Sequence, residues 1–449
     1  MGTQAPSLGA AKPLYSDGKH LAHQILLETM AAIDLRRAML AKLKRRNGTL
    51  LAGDIEVHLS AMRRTRVVAF GKAASRMALA LDEILGGQIE AGIIVAPSEA
   101  ARKSDRFRYF VGGHPYPNAG SVEGARAALD LVSNLTADDT VIFLVSGGGS
   151  SLFEWPLNPE LRLGELLEFN RILVTSALPI EQINALRKHL SAVKGGRLGV
   201  RAYPAQQFTI YVSDVPDQYP SMVASGPTMA DESTVDECYS LAEQHQLAAK
   251  FPPEIRKHFE QRTLEETPKP SDPRFSNSRY FCVLSNHDAV AAAKSAAEKL
   301  GFVCEIDSNA WDGDFRQVAD TNLAALDALK NRHPDSPVAL VVGGEVTCPV
   351  TGPGVGGRNQ AFALYAAQRI AGQQRVVLSA GTDGRDGNSP SAGAVADGHT
   401  IARARDRGFD PAEYLAQSDS YHFFCSLGDN VEIGFTDNNV RDVRVWLNF

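Results

Sequence analysis

The sequence predicts a two-domain α/β protein, and three observations carry that expectation. Short apolar runs alternate with stretches of helical apolar spacing. Most of those runs end in glycine, hydroxyl or charged residues, as strands do where open α/β sheets collect ligands. The chain is also 449 residues long, beyond the size at which one core usually stops growing. Its net charge of -6 provides no broad basic footprint, so no nucleic-acid partner is expected. No stretch approaches 18 consecutive apolar residues and the first twenty residues lack a secretory pattern, so a soluble cytoplasmic protein with no membrane partner is expected. The five cysteines, Cys238, Cys282, Cys304, Cys348 and Cys425, form no C-x-x-C pair, which argues against a disulfide framework or a zinc site.

Taken in order, residues 1–15 are small, polar and proline-containing and read as a loose tail. Ser16 or Asp17 can cap a helix over roughly 20–46. Val67 to Phe70 is a buried strand ending at Gly71-Lys72 and followed by a helix over 77–85. Lys72 thus lies where a sheet meets its ligands, or else snorkels at a helix start. This is not a P-loop, because Ala73 follows the lysine and Arg66 replaces the first glycine. Strands over 92–96 and 108–111 lead to a proline-rich turn whose His114 either touches a ligand or bonds locally. Val141 to Val145 is the most strand-like run, and Ser146-Gly147-Gly148-Gly149-Ser150-Ser151 ends it. Unhindered amides and hydroxyls there suit an anion, although a sharp turn has the same composition.

Helices over 164–176 and 180–190 follow. Asn184, Arg187 and Lys188 fall on neighbouring turns, and Lys194 and Arg197 flank Gly195-Gly196. That grouping fits a polyanion or a set of cations complementing helix dipoles. Phe208 to Val212 is a strand that delivers Ser213-Asp214 to its end, where Asp214 can act as magnesium ligand, general base or turn cap. Residues 251–279 are proline-rich and charged and read as a linker, placing one domain over 1–250 and the other over 280–449.

The second half repeats the alternation. Strands over 281–284 and 302–306 and helices over 288–300 and 315–330 precede a buried run ending at Val342. Gly343 to Gln360 then reads as strand, glycine loop and helix start, an arrangement whose amides suit phosphate. Arg358 would add a planar fork of donors. Gly352, Gly354 and Gly357 also satisfy G-x-G-x-x-G, and Asp383 follows the next apolar run as a ribose-binding acid does. A dehydrogenase therefore stays open. Asp383 and Asp386, between glycines after the strand 376–380, suit a hydrated cation or a plain turn. Glycine cradles, separated cations (Lys72, Lys194, Arg358) and strand-end carboxylates (Asp214, Asp383) are together what phosphoryl transfer requires.

Five motifs, in order, resemble the glycerate 2-kinase family, whose C-terminal half is the MOFRL domain. They are Val145 to Leu152, Asn184 to Leu198, Ser213-Asp-Val-Pro with Ala224 to Thr228, Gly343-Gly-Glu with Gly356 to Gln360, and Ser379 to Gly387. The resemblance implies transfer of the γ-phosphoryl of ATP to the 2-hydroxyl of D-glycerate, with Mg2+, by direct in-line attack. It implies a Rossmann-like N-terminal domain, a C-terminal MOFRL α/β domain and an active site in the cleft between them. Lys72 and Arg358 match the family's essential cations, and Asp214 its hydroxyl-orienting or metal-linked acid. The Ser146 to Ser151 loop would hold nucleotide phosphates or the glycerate carboxylate. Arg187, Lys194, Glu345 and Asn359 are the further substrate or phosphate contacts expected, and Asp214, Asp383 and Asp386 the magnesium ligands.

Two departures from the pattern are visible. Asp217-Gln218-Tyr219-Pro220 replaces Gly-Asp-Asp-Pro, and the pattern Thr-Gly-Thr-Asn-Val-Asn-Asp is altered over Thr436 to Asp442, where Thr436, Asn439 and Asp442 survive as candidates. An NAD(P)-dependent hydroxypyruvate reductase and a non-catalytic nucleotide or hydroxy-acid binder are the alternatives, and a homodimer stays open.

Overall fold

The computed structural model describes residues 14–59, 64–176, 178–307 and 311–449; residues 1–13 of the expected tail lie outside them. The chain divides into two compact units, one of residues 35–284 and one joining the segment up to Asp34 to residues 285–449.

In the unit 35–284 the apolar runs become six parallel strands: β1 (Thr65–Phe70), β2 (Ile89–Ala96), β3 (Phe107–Val111), β4 (Thr140–Val145), β5 (Gln206–Val212) and β6 (Ser278–Leu284). Their spatial order is 3-2-1-4-5-6, the doubly wound order of dinucleotide-binding folds. β1 and β4 are near-continuous hydrophobic runs because helices cover both faces of a parallel sheet. On one face Val68, Phe70, Ile93, Phe143 and Val145 pack against Ala125, Ala128 and Val132 of the helix Ala119–Val132, and against Leu198 and Ala202. The helix Ala74–Leu85 packs along β1 and β2. A second cluster, with Phe169, Leu186, Cys238 and Phe251, holds together the helices Leu163–Val174, Ile180–His189, Val235–Gln244 and Pro253–Glu260.

The other unit carries a mixed sheet of β7 (Val303–Asp307), β8 (Val338–Val342), β9 (Arg375–Gly381), β10 (Gly393–Asp397), β11 (Asn430–Val431) and β12 (Asp442–Asn448). The order is 7-8-12-9-10-11, and only the β7–β8 pair is parallel. The C-terminal strand β12 is central and buried along its length, with Trp446 edge-on to Phe362 of the helix Arg358–Arg369. The helices Gly18–Ala32 and Asn286–Lys299 pack on each other and on the sheet.

The two-domain α/β class is observed, but two local expectations are corrected. The helix expected over 20–46 is two helices, Gly18–Ala32 and Leu35–Lys42, followed by a strand Leu43–Arg46. That strand opens an antiparallel meander with Thr49–Ala52 and Ile55–His58. Asn47-Gly48, with φ of 49° and 75°, is the hairpin turn the amphipathic reading passed over. Residues 251–279 also differ from a linker. They include the helix Pro253–Glu260, the buried Thr267 hydroxyl bonded to Asp231 (2.9 Å), and the start of β6. The passage between units falls at Leu284/Ser285, because β6 completes the parallel sheet.

Candidate functional site

The order of the parallel sheet reverses between β1 and β4, the topological switch point at which such sheets bind ligands. The loops leaving those two strands are Gly71-Lys72 and Ser146 to Ser151. Gly71 has φ +116°, and a Cβ there would lie 2.3 Å from Ser146 Oγ, so only glycine lets the loops meet. The Lys72 amide donates to Gly147 O (2.9 Å) and the Ala73 amide to Ser146 Oγ (3.0 Å). A Cβ on Gly147 would stand 2.0 Å from Asp214 Oδ2, which puts the carboxylate at the end of β5 against the glycine loop. Gly148 is left-handed (φ +78°), and its missing Cβ would touch Lys72 Cγ at 3.1 Å and His114 Nδ1 at 3.4 Å. Lys72, His114 and Asp214 therefore converge on two consecutive glycines. Among the described residues, no protein acceptor takes up the amides of those glycines.

The rim of this loop is hydroxylic. His114 Nδ1 and Ser151 Oγ are hydrogen-bonded at 3.0 Å. Desolvation on the side facing the glycine loop, with Lys72 adding to it, pushes the His114 imidazole down to about 4, which favours the neutral ring although its other side is exposed to solvent. Ser150 bonds the Ser225 hydroxyl, which donates to Asn184 Oδ1 (3.2 Å). The expected helix Ile180–His189 thus reaches the loop through Asn184.

The expected cations separate into two kinds. Lys194 is buried and ion-paired to Glu154, which also accepts from Ser191 Oγ (2.6 Å). Its burial lowers the ammonium's affinity for its proton and Glu154 opposes this. Lys188 is paired to Asp231 at 2.8 Å. By contrast, Arg187 has a buried Nε with no hydrogen-bond partner and Lys72 has no ion pair among the described residues. Burial lowers the Arg187 guanidinium from its ordinary value, with Glu154 and Tyr116 opposing it. A half-buried guanidinium whose Nε has no acceptor, and whose nearby carboxylate Glu154 is already paired to Lys194, is costly unless an anion completes it. Glu154, which neutralises Lys194, is the functional neighbour the sequence reading missed. Its signal is an acid inside the apolar run Leu152-Phe153-Glu154-Trp155.

The glycine loop of the mixed-sheet unit is built differently from the anion cradle expected of it. Four of its amides are already satisfied: Thr351 by Ser418 Oγ (2.9 Å), Gly354 by Gln417 O (2.9 Å), Val355 by Asp419 Oδ1 (2.9 Å) and Gly356 by Asn388 Oδ1 (2.8 Å). Cβ atoms on Gly352, Gly354 and Gly356 would collide with Gln417, Asp419 and Ser420 at 2.4–2.6 Å. These glycines are required for packing. At the start of the helix Arg358–Arg369, the Asp386 carboxylate accepts the amides of Asn359 (3.0 Å) and Gln360 (2.8 Å). It occupies the helix end where a pyrophosphate would sit, so the dinucleotide fingerprint is not realised.

That geometry places the remaining candidates. Burial pushes the Asp386 carboxyl up to about 7, and with both oxygens on amides it faces the helix end, away from the metal role expected of it. Asp383 Oδ1 accepts the Arg385 amide (3.1 Å), while Oδ2 has no protein donor among the described residues. Asn359 is a buried scaffold residue that accepts from Ser379 Oγ (2.6 Å). Arg358, expected to face a phosphate, clasps Asp442 with Nε and an NH2 group (2.7 and 2.9 Å) and reaches Glu345 at 2.6 Å. Although burial works against it, Asp442 and Glu345 hold this guanidinium well above its ordinary value. Thr436 Oγ1 donates to Thr382 O (2.7 Å) and Asn439 Oδ1 accepts the Arg441 amide (2.9 Å), fixing the turn that brings in Asp442. Among the described residues, no group of three or more His, Cys, Asp or Glu is placed to hold a metal.

Two family models match the chain: a domain of unknown function, DUF4147, over residues 21–260, and the MOFRL family over residues 338–442. The D-glycerate 2-kinase of Thermotoga maritima is 37% identical, with 86% of this chain and 90% of that protein covered. An Agrobacterium vitis protein carrying a provisional hydroxypyruvate reductase name is 35% identical, with 86% and all of that protein covered. The crystal structure of the Thermotoga maritima glycerate kinase superposes with a TM-score of 0.83 at 34% identity, covering 96% of this chain and 99% of that one. The chain belongs to the glycerate 2-kinase family of DUF4147 and MOFRL proteins.

Proposed function

We propose that this protein is an ATP-dependent D-glycerate 2-kinase whose parallel-sheet unit holds the anionic reactants at the Ser146 to Ser151 loop. The carrying observation is the contrast between the two glycine loops. Among the described residues, the one at the β1–β4 switch point leaves the Gly147 and Gly148 amides without a protein acceptor beside Lys72 and Asp214, whereas at the other Asp386 takes the two helix-end amides. A hydroxypyruvate reductase would need a dinucleotide cradle, and at the loop that reads like one Asp386 already takes the helix-end amides of Asn359 and Gln360.

In this account Lys72 and Arg187 meet the carboxylate and phosphoryl oxygens, and the Gly147 and Gly148 amides donate to whichever oxygen lies over the loop. These groups are fixed before the substrate arrives, so they stabilise developing charge without reorganising. Asp214 orients the glycerate 2-hydroxyl and accepts its proton as the oxygen attacks in line. Neutral His114 and the Ser151 hydroxyl bind substrate oxygens and do not serve as bases. Arg358 positions Asp442 and Glu345.

Magnesium usually takes one or two protein carboxylates and completes its shell with water and phosphate. Asp214 fits that demand, as does Asp383 with its unbonded Oδ2, and Asp386 does not. When bound, Mg2+ would offset the charge on the nucleotide phosphates. ADP release measured with ATP, Mg2+ and D-glycerate tests the assignment; NAD(P)H oxidation by hydroxypyruvate without ATP would replace it with the reductase reading.

A further inference from the structure

The parallel-sheet unit holds a second basic cavity, of about 980 Å³, on the flank formed by the helices Ala119–Val132 and Arg197–Ala202. Its lining includes Arg126, Arg197, Arg201, Lys269, Arg274 and Trp155. Lys269 is answered by Glu266 and Arg274 by Asp272. Arg126 and Arg201 have no ion-paired carboxylate among the described residues, and Arg197 makes no ion pair although Glu265, Glu266 and Asp231 lie near enough to act on its charge. Arg201 donates to Ser133 Oγ (3.0 Å), while Arg197 donates to Glu265 O (3.0 Å) and keeps a buried Nε without an acceptor. Asp130 is the remaining carboxylate in the lining.

Clustered guanidinia beside an aromatic face suit a planar ring carrying phosphate, through bidentate oxygen contacts and stacking. The cavity is also joined to the Glu154–Lys194 pair by one covalent step and two backbone hydrogen bonds. Trp155 follows Glu154, the partner of Lys194. The Ala192 amide donates to Trp155 O (2.8 Å) and the Arg197 amide to Lys194 O (3.1 Å).

We propose that this cavity is a regulatory site for a nucleoside phosphate, whose phosphate is held by Arg126, Arg197 and Arg201 and whose base lies on Trp155. An occupant would set the Glu154–Lys194 segment and so alter how the loop holds glycerate. The binding part is read without turnover, and the regulatory part rests on the glycerate 2-kinase reading, so a failed kinase assay and a failed AMP titration are distinguishable.

The probe is AMP, titrated into the full chain by tryptophan fluorescence and by calorimetry, with adenosine as the ring-only control. Saturable quenching by AMP, absent in Trp155→Phe and weakened at least tenfold in the Arg126→Ala/Arg201→Ala variant, is expected. AMP should also shift the KM for glycerate in the unaltered chain and leave it unshifted in the double variant, whose KM and kcat without AMP stay normal. Equal AMP affinity in the double variant, simple competition with ATP, or adenosine binding as tightly as AMP would overturn the proposal.

Discussion

Replacing Lys72 with Met gives the sharpest separation between building the fold and serving the site. The ammonium has no ion pair among the described residues, so its loss leaves no protein carboxylate stranded, and stability should change by no more than about 0.5 kcal/mol. Turnover should fall roughly 10²- to 10³-fold, about 3–4 kcal/mol, the usual cost of removing one preorganised electrostatic donor. A second readout comes from His114. Its Nδ1 and Lys72 Cε both lie 3.4 Å from the point a Gly148 Cβ would occupy. At an effective dielectric of about 20 and a separation of about 7 Å, the Coulomb term is about 2.4 kcal/mol, or somewhat under two pKa units, before solvent screening of this partly exposed pair lowers it. The His114 pKa should therefore rise from about 4 in Lys72→Met while staying below its ordinary value, because burial is the larger cause. Thermal melts, steady-state kinetics and an NMR titration of the imidazole read the three effects together. Near-normal turnover, or an unmoved His114, would refute the placement of Lys72.

The remaining predictions follow from the same contacts. Arg358→Met strands Asp442, whose side chain is 1% exposed. It should destabilise the protein by roughly 3 kcal/mol, the low end for breaking a buried pair because Arg358 itself is 32% exposed. Adding Asp442→Asn should restore most of the melting temperature, and activity that stays lost in the restored protein would make Arg358 a substrate contact. Asp386→Ala removes the acceptor for two helix-end amides and should cost about 1–2 kcal/mol in denaturant melts, with the Mg2+ dependence of turnover unchanged. Because His114 is protonated only below about 4, the rate profile between pH 5 and 8 should carry no limb from it; a limb near pH 6.5 that disappears in His114→Asn would contradict the burial argument.

Much of the parallel-sheet unit was legible in the sequence, since buried parallel strands read as unbroken apolar runs and their ends carry Gly71-Lys72, Ser146 to Ser151 and Asp214. Pairings distant in sequence were less visible. Nothing local to Arg358 announces Asp442, 84 residues away, and nothing local to Gly354–Gly357 announces that residues 417–420 and Asp386 take up the space and the amides around them. Glycines required for close packing have the same spelling as glycines that cradle phosphate. The misread helix over 20–46 has a local cause: the charged Lys44-Arg45-Arg46 carried a helical period past Lys42, although Asn47-Gly48 marks a hairpin. Strand β6 was read as the start of the second domain because the proline-rich stretch before it resembles a linker, whereas sheet pairing assigns it to the first.

The most direct test of the central claim is the position of the phosphate in the product. With ATP, Mg2+ and D-glycerate, 31P NMR of the reaction mixture should show 2-phosphoglycerate accumulating with ADP, and the same signal should be lost in Lys72→Met and in Asp214→Asn. Accumulation of 3-phosphoglycerate, or no phosphorylated product alongside NAD(P)H-dependent reduction of hydroxypyruvate, would contradict it.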